Sequence, residues 1–545
     1  MTASLARRRR AVLAVVVLAG MLAGCTTLPA AGARALPRTR AERTNYAETS
    51  RYADVIEFLD FLKARGAPFE FGSIGASVEG RDIPYVIASR PMVRTPVEAR
   101  QSGKPIVYVQ GNIHAGEVEG KEALQALLRE LAFSARPSIL DSIVLIAVPI
   151  YNADGNERVG PQERQRGSQN GPELVGQRPN AQGLDLNRDY IKADAPETRA
   201  SLAMFDRWDP DVFVDLHTTN GSFHGYALTY SPSLNPSAPL GEYTRQLLTE
   251  LRLRMRVREG YETFDYGNFS NASGSEARTD TIHDGWVTYD HRPRFGTNYY
   301  GLRNRVSVLS EAYSHDSFER RVRSTHAFVR QLLSLVAERG PELRARIAAA
   351  SSRLRTDTVV LRSALPTRAL TQPVVYEVLA RTGDSMRTQP GVPRGLRRTG
   401  ELRTKTMPVF DRFVPTLERP AAAYYVVSGL DTLTLARLRL HGFRLDPFRT
   451  DQSALQRFVV DSVTRATRPF QGHVEARIFG RWMNASGPAV REPIQVSAAG
   501  RSRLLSYLLD PESDDGFATW DLFASRLSAG TYPVLRARTE SASPN

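Results

Sequence analysis

A single cysteine, Cys25, in 545 residues leaves no partner for a disulfide within the chain and no set of thiolates to hold a metal. Lysine is nearly as scarce: Lys63, Lys104, Lys121, Lys192 and Lys405 are the only five, so the net charge of +14 rests almost wholly on arginine. Those arginines are scattered among carboxylates instead of being gathered with aromatics into a strip that could track phosphates, which argues against nucleic acid as a partner. The apolar run Ala11 to Leu22 falls short of the roughly 20 residues that a membrane span requires.

What stands at the N-terminus has the pattern of an export signal over residues 1–24, with Arg7 to Arg10 as its positive region and Ala11 to Leu22 as its apolar region. Removing those four arginines still leaves the chain net positive. Leu22-Ala23-Gly24-Cys25 resembles the bacterial lipobox, which implies cleavage before Cys25 and its acylation. Thr26, in place of aspartate, points to the outer membrane of a Gram-negative cell. The expectation is therefore an exported envelope lipoprotein, on the periplasmic face or outer membrane, that meets the membrane through its lipid anchor only. Residues 26–44 are rich in Ala, Pro, Thr and Arg without an apolar period, and 25–44 are expected to be a lipidated cysteine and flexible tether.

The body is expected to begin near Asn45. Tyr52, Val55, Ile56, Leu59 and Leu62 recur at helical spacing, with Gly66 as a stop. Apolar runs at Ile106 to Val109, Ile143 to Ile150 and Val212 to Leu216 then alternate with helical stretches, as in an α/β fold with a mixed, mostly parallel twisted sheet flanked by helices. A long helical pattern follows Asp316 and resumes after Gly340-Pro341. The expected division is a catalytic domain at 45–340, a helical connector at 341–355 and a smaller strand-rich domain at 356–545. Short runs at Val359 to Leu361, Val374 to Val378, Tyr424 to Val427 and Ile494 to Ser497, broken by turn residues, mark that last domain, whose function the sequence does not reveal.

Two of the buried strands end in histidine. In Gly111-Asn112-Ile113-His114-Ala115-Gly116-Glu117 the glutamate falls within one turn of His114, and Val212-Phe213-Val214-Asp215-Leu216 runs into His217. A His-x-x-acid sequence alone occurs about once by chance in a chain of this size, so position has to supply the specificity. Strand ends on one side of an open α/β sheet converge on the ligand crevice. Two imidazoles and one carboxylate suit Zn²⁺, which catalytic sites hold with three protein ligands and an open fourth position. Such a site needs a base for water, and Glu311 stands at the end of Val306-Ser307-Val308-Leu309-Ser310-Glu311.

From about Asn45 to Ala337 these residues resemble the carboxypeptidase A-like family of zinc metallocarboxypeptidases. Gly75 to Ile83 is similar to the segment before that family's first metal strand, and Asn152-Ala153-Asp154-Gly155 resembles its Asn-Pro-Asp-Gly turn. The most specific match is Asp185-Leu186-Asn187-Arg188. By the family's Asp-x-Asn-Arg it implies that Asn187 and Arg188 bind the substrate's terminal carboxylate and that Asp185 sits behind His114, accepting its other ring N–H. A guanidinium fork meets a carboxylate through two charge-assisted bonds, so a free C-terminus is bound and a mid-chain peptide is not. The family's oxyanion arginine is expected at Arg178, with Arg158, Arg164 and Arg166 as alternatives, and its mobile tyrosine at Tyr300 in preference to Tyr299. The chain departs from the pattern at Gly116, where many members carry arginine.

The resemblance implies one Zn²⁺ held by His114, Glu117 and His217, with Glu311 as general base and acid, acting on peptides with a free C-terminus. Two other readings are open: an envelope amidase acting on peptidoglycan stem peptides or acyl-amino acids, and a non-catalytic lipoprotein that binds peptides or glycans.

Overall fold

The computed structural model describes residues 36–135, 137–270, 284–352, 358–383, 391–449, 454–485, 492–498, 500–523, 527, 530 and 532–538. The expected signal at 1–24 and Cys25 lie outside them. Along the central strands alternate side chains enter two different apolar clusters: Val107, Val109, Val212 and Val214 one, Tyr108 and Phe213 the other. A sheet whose two faces are both apolar has to be covered on both sides.

Its eight strands are β1 (Phe69–Ala76), β2 (Asp82–Ala88), β3 (Ile106–Gly111), β4 (Val144–Val148), β5 (Val212–Thr218), β6 (Leu228–Pro232), β7 (Thr263–Asp265) and β8 (Val306–Ala312), in the order β1-β2-β4-β3-β5-β8-β6-β7. The central four, β4, β3, β5 and β8, are mutually parallel, and β2 and β6 flank them antiparallel. This is the mixed, mostly parallel sheet the sequence pattern predicts. The helices that matter for its cover are α1 (Tyr52–Ala64), α2 (Glu119–Phe133), α3 (Pro196–Trp208), α4 (Gly241–Arg254), α5 (Gly296–Leu302) and α6 (Phe318–Ser352). Leucines of α1, α2, α4 and α6 cover the valine face, while Phe205 of α3 and Tyr300 of α5 pack on the other. Among the described residues no helix is long and apolar enough to cross a membrane.

Three features differ from the sequence expectation. The expected tether is ordered well before Asn45: Thr39 caps a short helix, Arg40–Arg43, and Glu42 of that helix receives both Arg129 Nη atoms at 2.6 Å. Its polar composition concealed a capping box and a paired charge. The helical stretch beyond Gly340 is not a separate connector, because α6 runs through Pro341 without a break. Finally, Arg38–Asn545 form one compact unit.

The physical reason is a shared core. The second face of the central sheet continues through Tyr425, Phe458, Leu504 and Trp520 of the C-terminal half as a single apolar cluster. That half contains a six-stranded sheet ordered Arg444–Pro447, Ile494–Ser497, Tyr424–Val427, Val534–Ala537, Leu455–Arg465 and Ala476–Asn484. It also lends a strand to its neighbour: Leu396–Phe410 pairs in parallel with Gly285–Val287, through Trp286↔Val409 and Val287↔Phe410. The four C-terminal runs picked out in the sequence all lie in strands.

Candidate metal centre and active site

The turn after β3 brings two candidate ligands together. Asn112 takes a left-handed φ of 66°, which a short polar side chain tolerates, and the Glu117 N–H closes the turn on the His114 carbonyl at 2.9 Å. His217 comes from β5, the parallel neighbour of β3. Nδ1 of His114 lies 3.1 Å from Glu117 Oε1, Nδ1 of His217 lies 3.0 Å from Glu117 Oε2, and the two Nδ1 atoms are 3.2 Å apart. All three residues are buried, and among the described residues they are the one His/Cys/Asp/Glu group whose ligand atoms converge within 4.8 Å.

The opposite ring atoms face carboxylates. His114 Nε2 lies 3.0 Å from Asp185 Oδ1, as the resemblance implies, and His217 Nε2 lies 3.0 Å from Asp215 Oδ2. Two imidazoles presenting the same atom to one carboxylate, each backed by a further carboxylate, form a donor set that suits Zn²⁺. Burial opposes charge on the His217 ring, but the carboxylates of Asp215 and Glu117 outweigh it and hold its pKa well above the ordinary imidazole value. Burial likewise pushes the Glu117 carboxyl up, and the charges of His114 and Arg166 override it, leaving it well below the usual range. A cluster this rich in buried carboxylate calls for compensating positive charge, which a bound cation would supply.

Glu311, on β8, lines the same cavity of about 440 Å³, together with His114, Glu117, Arg178, Asn187, Arg188 and His217. Burial pushes its carboxyl up to about 8, against the pull of His217, Arg166 and Arg178, and its buried Oε2 has no hydrogen-bond partner. A buried carboxylate oxygen left without a partner is costly unless a ligand meets it there.

Asp185 caps the turn that carries the two carboxylate-binding candidates, its Oδ1 accepting the Asn187 N–H at 2.9 Å. The Asn187 side chain is fixed by the Gly296 N–H, which donates to its Oδ1 at 2.9 Å. Arg188 stacks its guanidinium on the Phe295 ring, 3.9 Å from the centroid. Arg178 donates from Nε to Asp185 Oδ2 at 2.9 Å and keeps about a third of its side chain exposed at the cavity. The alternatives are placed differently. Arg158 pairs with Glu79 at 2.7 Å on the surface, Arg164 is exposed, and Arg166 is buried against Glu117 at 3.0 Å with its other terminal nitrogen on the carbonyls of Thr218 and Thr219. A Cβ on Gly116 would lie 2.7 Å from Arg166 Cγ, so the guanidinium missing from position 116 has a counterpart beside Glu117, supplied by a distant turn.

The expectation for Tyr300 is corrected. Its ring stacks on Phe205 at 3.9 Å and packs on Phe213 at 4.2 Å, fully buried in the core, because α5 turns that side of Gly296-Thr297-Asn298-Tyr299-Tyr300 onto the sheet. Tyr299 is buried as well, with its hydroxyl donating to His441. The tyrosines that line the cavity are Tyr266 and Tyr289. Tyr289 follows a short strand whose pairing to the C-terminal half carries no local sequence signal. Asp215 was legible and missed: it stands two residues before His217 on one strand, hence on the same face. Leu365, from the C-terminal half, also lines the cavity.

A family model described as zinc carboxypeptidase matches residues 55–302. Carboxypeptidase 2 of Trichophyton equinum is 27% identical over 289 residues, 49% of this chain and 48% of that protein. Carboxypeptidase 2 of Trichophyton rubrum is 23% identical over 489 residues, covering 85% of this chain and 81% of that one. A metallo-carboxypeptidase structure from Burkholderia cenocepacia overlays with a TM-score of 0.40 at 17% identity, over 53% of this chain and 70% of that chain. The chain spans about half the length of the first curated relatives it matches. The metal-ligand candidates, the Asp-x-Asn-Arg segment and most of the central sheet lie inside the stretch that is similar to the zinc carboxypeptidase family.

Proposed function

We propose that this chain is a zinc-dependent carboxypeptidase that removes single residues from peptides with a free C-terminus. Carboxypeptidase is the activity named for its relatives. The observation that carries the reading is one cavity holding the His114–Glu117–His217 group, the Asn187–Arg188 pair and the unpartnered Glu311 carboxylate.

His114, Glu117 and His217 would hold one Zn²⁺, which supplies Lewis-acid polarisation of the scissile carbonyl and acidifies water. Asn187 and Arg188 bind the terminal carboxylate. The Phe295 ring beneath Arg188 keeps its planar fork oriented for a bidentate contact. Glu311, whose buried carboxyl the charge of a bound cation would keep ionised, takes a proton from the attacking water and returns it to the departing amine, so no covalent intermediate forms. Arg178, exposed at the cavity, is assigned to the oxyanion that develops on the carbonyl oxygen. The two terminal nitrogens of Arg166 are directed at Glu117 and two carbonyls, which assigns it a structural role.

The test is a matched pair of peptides, one with a free C-terminus and one amidated, incubated with the zinc-loaded protein. Release of the last amino acid from the free peptide alone is expected, with loss on chelation and recovery on adding zinc. Internal cleavage, or equal handling of the amide, would overturn the reading. The N-terminal sequence supports export and anchoring through Cys25, and Cys25→Ser is expected to move the protein from the membrane fraction to the soluble one.

A further inference from the structure

Asp185, which faces His114 and caps the Asn187–Arg188 turn, is itself held from the C-terminal half. Its backbone N–H donates to Gln471 Oε1 at 2.8 Å, across 286 residues of sequence. Gln471 sits at a left-handed φ of 50° in a tight turn closed by Phe470 and His473, whose N–H groups bond each other's carbonyls at 2.7 and 3.1 Å. A residue held there has a reason other than propensity.

The turn is anchored on the same segment of chain that it serves. His473 Nε2 lies 2.7 Å from Asp194 Oδ2, and Arg437 reaches Asp194 at 2.6 Å and the Lys192 carbonyl at 2.8 Å. On the other flank Asp515 accepts from the Arg294 N–H at 2.6 Å and from its Nε at 2.8 Å, while Glu475 accepts from its Nη1 at 2.7 Å. Arg294 precedes Phe295 and Gly296, which orient Arg188 and Asn187. Residues far from the matched family segment thus grip both sides of the pair assigned to the substrate carboxylate.

We propose that Gln471 is a positioning residue for recognition of the substrate's terminal carboxylate, acting through the Asp185 N–H to fix the turn that presents Asn187 and Arg188. This rests on the reading of those two residues as the carboxylate-binding pair. Without the Gln471 oxygen the Asp185 N–H loses its partner, and the turn gains freedom that a bound carboxylate must then remove.

The experiment measures calorimetric affinity for a C-terminally free peptide and its amide in zinc-loaded Glu311→Gln protein, with Gln471 kept or changed as Gln471→Met or Gln471→Glu. Methionine preserves length without a strong acceptor, and glutamate preserves the oxygen. The expected result is about fivefold weaker binding of the free peptide with methionine, unchanged weak binding of the amide, and recovery with glutamate to within about twofold. In the catalytically intact protein the methionine variant raises KM with little change in kcat. Parent-like binding by the methionine variant, equal losses with methionine and glutamate, or loss of the folded state would overturn the proposal, since each makes the contact idle or merely structural. If the Glu311→Gln protein with Gln471 intact shows no preference for the free peptide, the carboxypeptidase reading fails and takes this inference with it. A preference indifferent to residue 471 sinks the inference alone.

Discussion

Glu311 and His217 stand directly opposite one another in the register of two neighbouring parallel strands. The proposed base and one proposed ligand are therefore fixed by a hydrogen-bonded ladder and not by a loop, and their separation changes only if the sheet does. Glu311→Gln preserves the shape of the side chain while removing its basicity. It is expected to retain one zinc per chain by metal analysis and to lose hydrolysis of C-terminally free peptides by about 10²- to 10⁴-fold in kcat. Turnover near the parent level would take Glu311 out of the mechanism.

Asp215 supports the other side of the His217 ring from within the same strand. Replacing one carboxylate oxygen by an amide leaves the packing intact and removes the charge that orients and polarises the imidazole. Asp215→Asn is expected to weaken zinc binding by about 10- to 100-fold, measured by competition with a chromogenic chelator. An unchanged affinity would reduce Asp215 to a strand residue beside Gln110, whose Nε2 donates to it at 3.1 Å.

The two tyrosines compared above separate on substitution. Tyr300 has a buried hydroxyl with no partner, so Tyr300→Phe removes a group that is costly to bury and leaves the stacking on Phe205 in place. The melting temperature is expected to hold or rise, with kcat/KM within about twofold of the parent. Tyr289→Phe removes a hydroxyl from the cavity wall and is expected to lower kcat/KM. The reverse pattern would restore Tyr300 to the site.

What could be read in the sequence was local or periodic. Strands β3, β5 and β8 announced themselves by apolar runs, and His114 in the turn just past β3, with His217 and Glu311 near the ends of β5 and β8, followed from the rule that such ends converge. Asp185, Asn187 and Arg188 were legible through a motif within four residues. The failures have a common cause in contacts between distant segments. Tyr300 was placed by the family order, in which the mobile tyrosine precedes the base, yet a short helix turns it into the core, and whether a tyrosine of a seven-residue helix faces cavity or core is decided by what it packs on. The C-terminal half resembled a separate module because its strands are short and its turns frequent. Only the three-dimensional core shows Tyr425 and Phe458 continuing the cluster that begins at Ile83. Gln471 carries no sequence signal, since a glutamine in a turn is unremarkable until its partner is known.

The buried histidines outside the metal centre predict the response to acid. Burial pushes His441 down to about 3, His224 to about 3 and His315 to about 4, so each is neutral in the folded chain at pH values where the unfolded chain, near 6.5, takes up a proton. At these three rings the unfolded state then binds more protons, and their contribution to stability falls as pH drops from about 6.5 toward 4. Asp510 and Glu311 act in the opposite sense, because burial raises their carboxyls to about 6 and about 8 and folding favours their protonated forms down to the ordinary carboxyl value. His441 is the informative case: in the neutral form Nδ1 accepts from Tyr299 Oη at 2.7 Å and Nε2 donates to the Ile191 carbonyl at 3.1 Å, joining the C-terminal half to the catalytic core. His441→Gln is expected to melt lower than the parent at pH 7, from loss of packing and of the bond to Tyr299, and to show a shallower fall in melting temperature between pH 6.5 and 4.5 because one of the three titrating rings is gone. Calorimetric melting across that range checks both signs. A variant whose pH slope equals the parent's would show that the His441 ring is not held neutral by its burial.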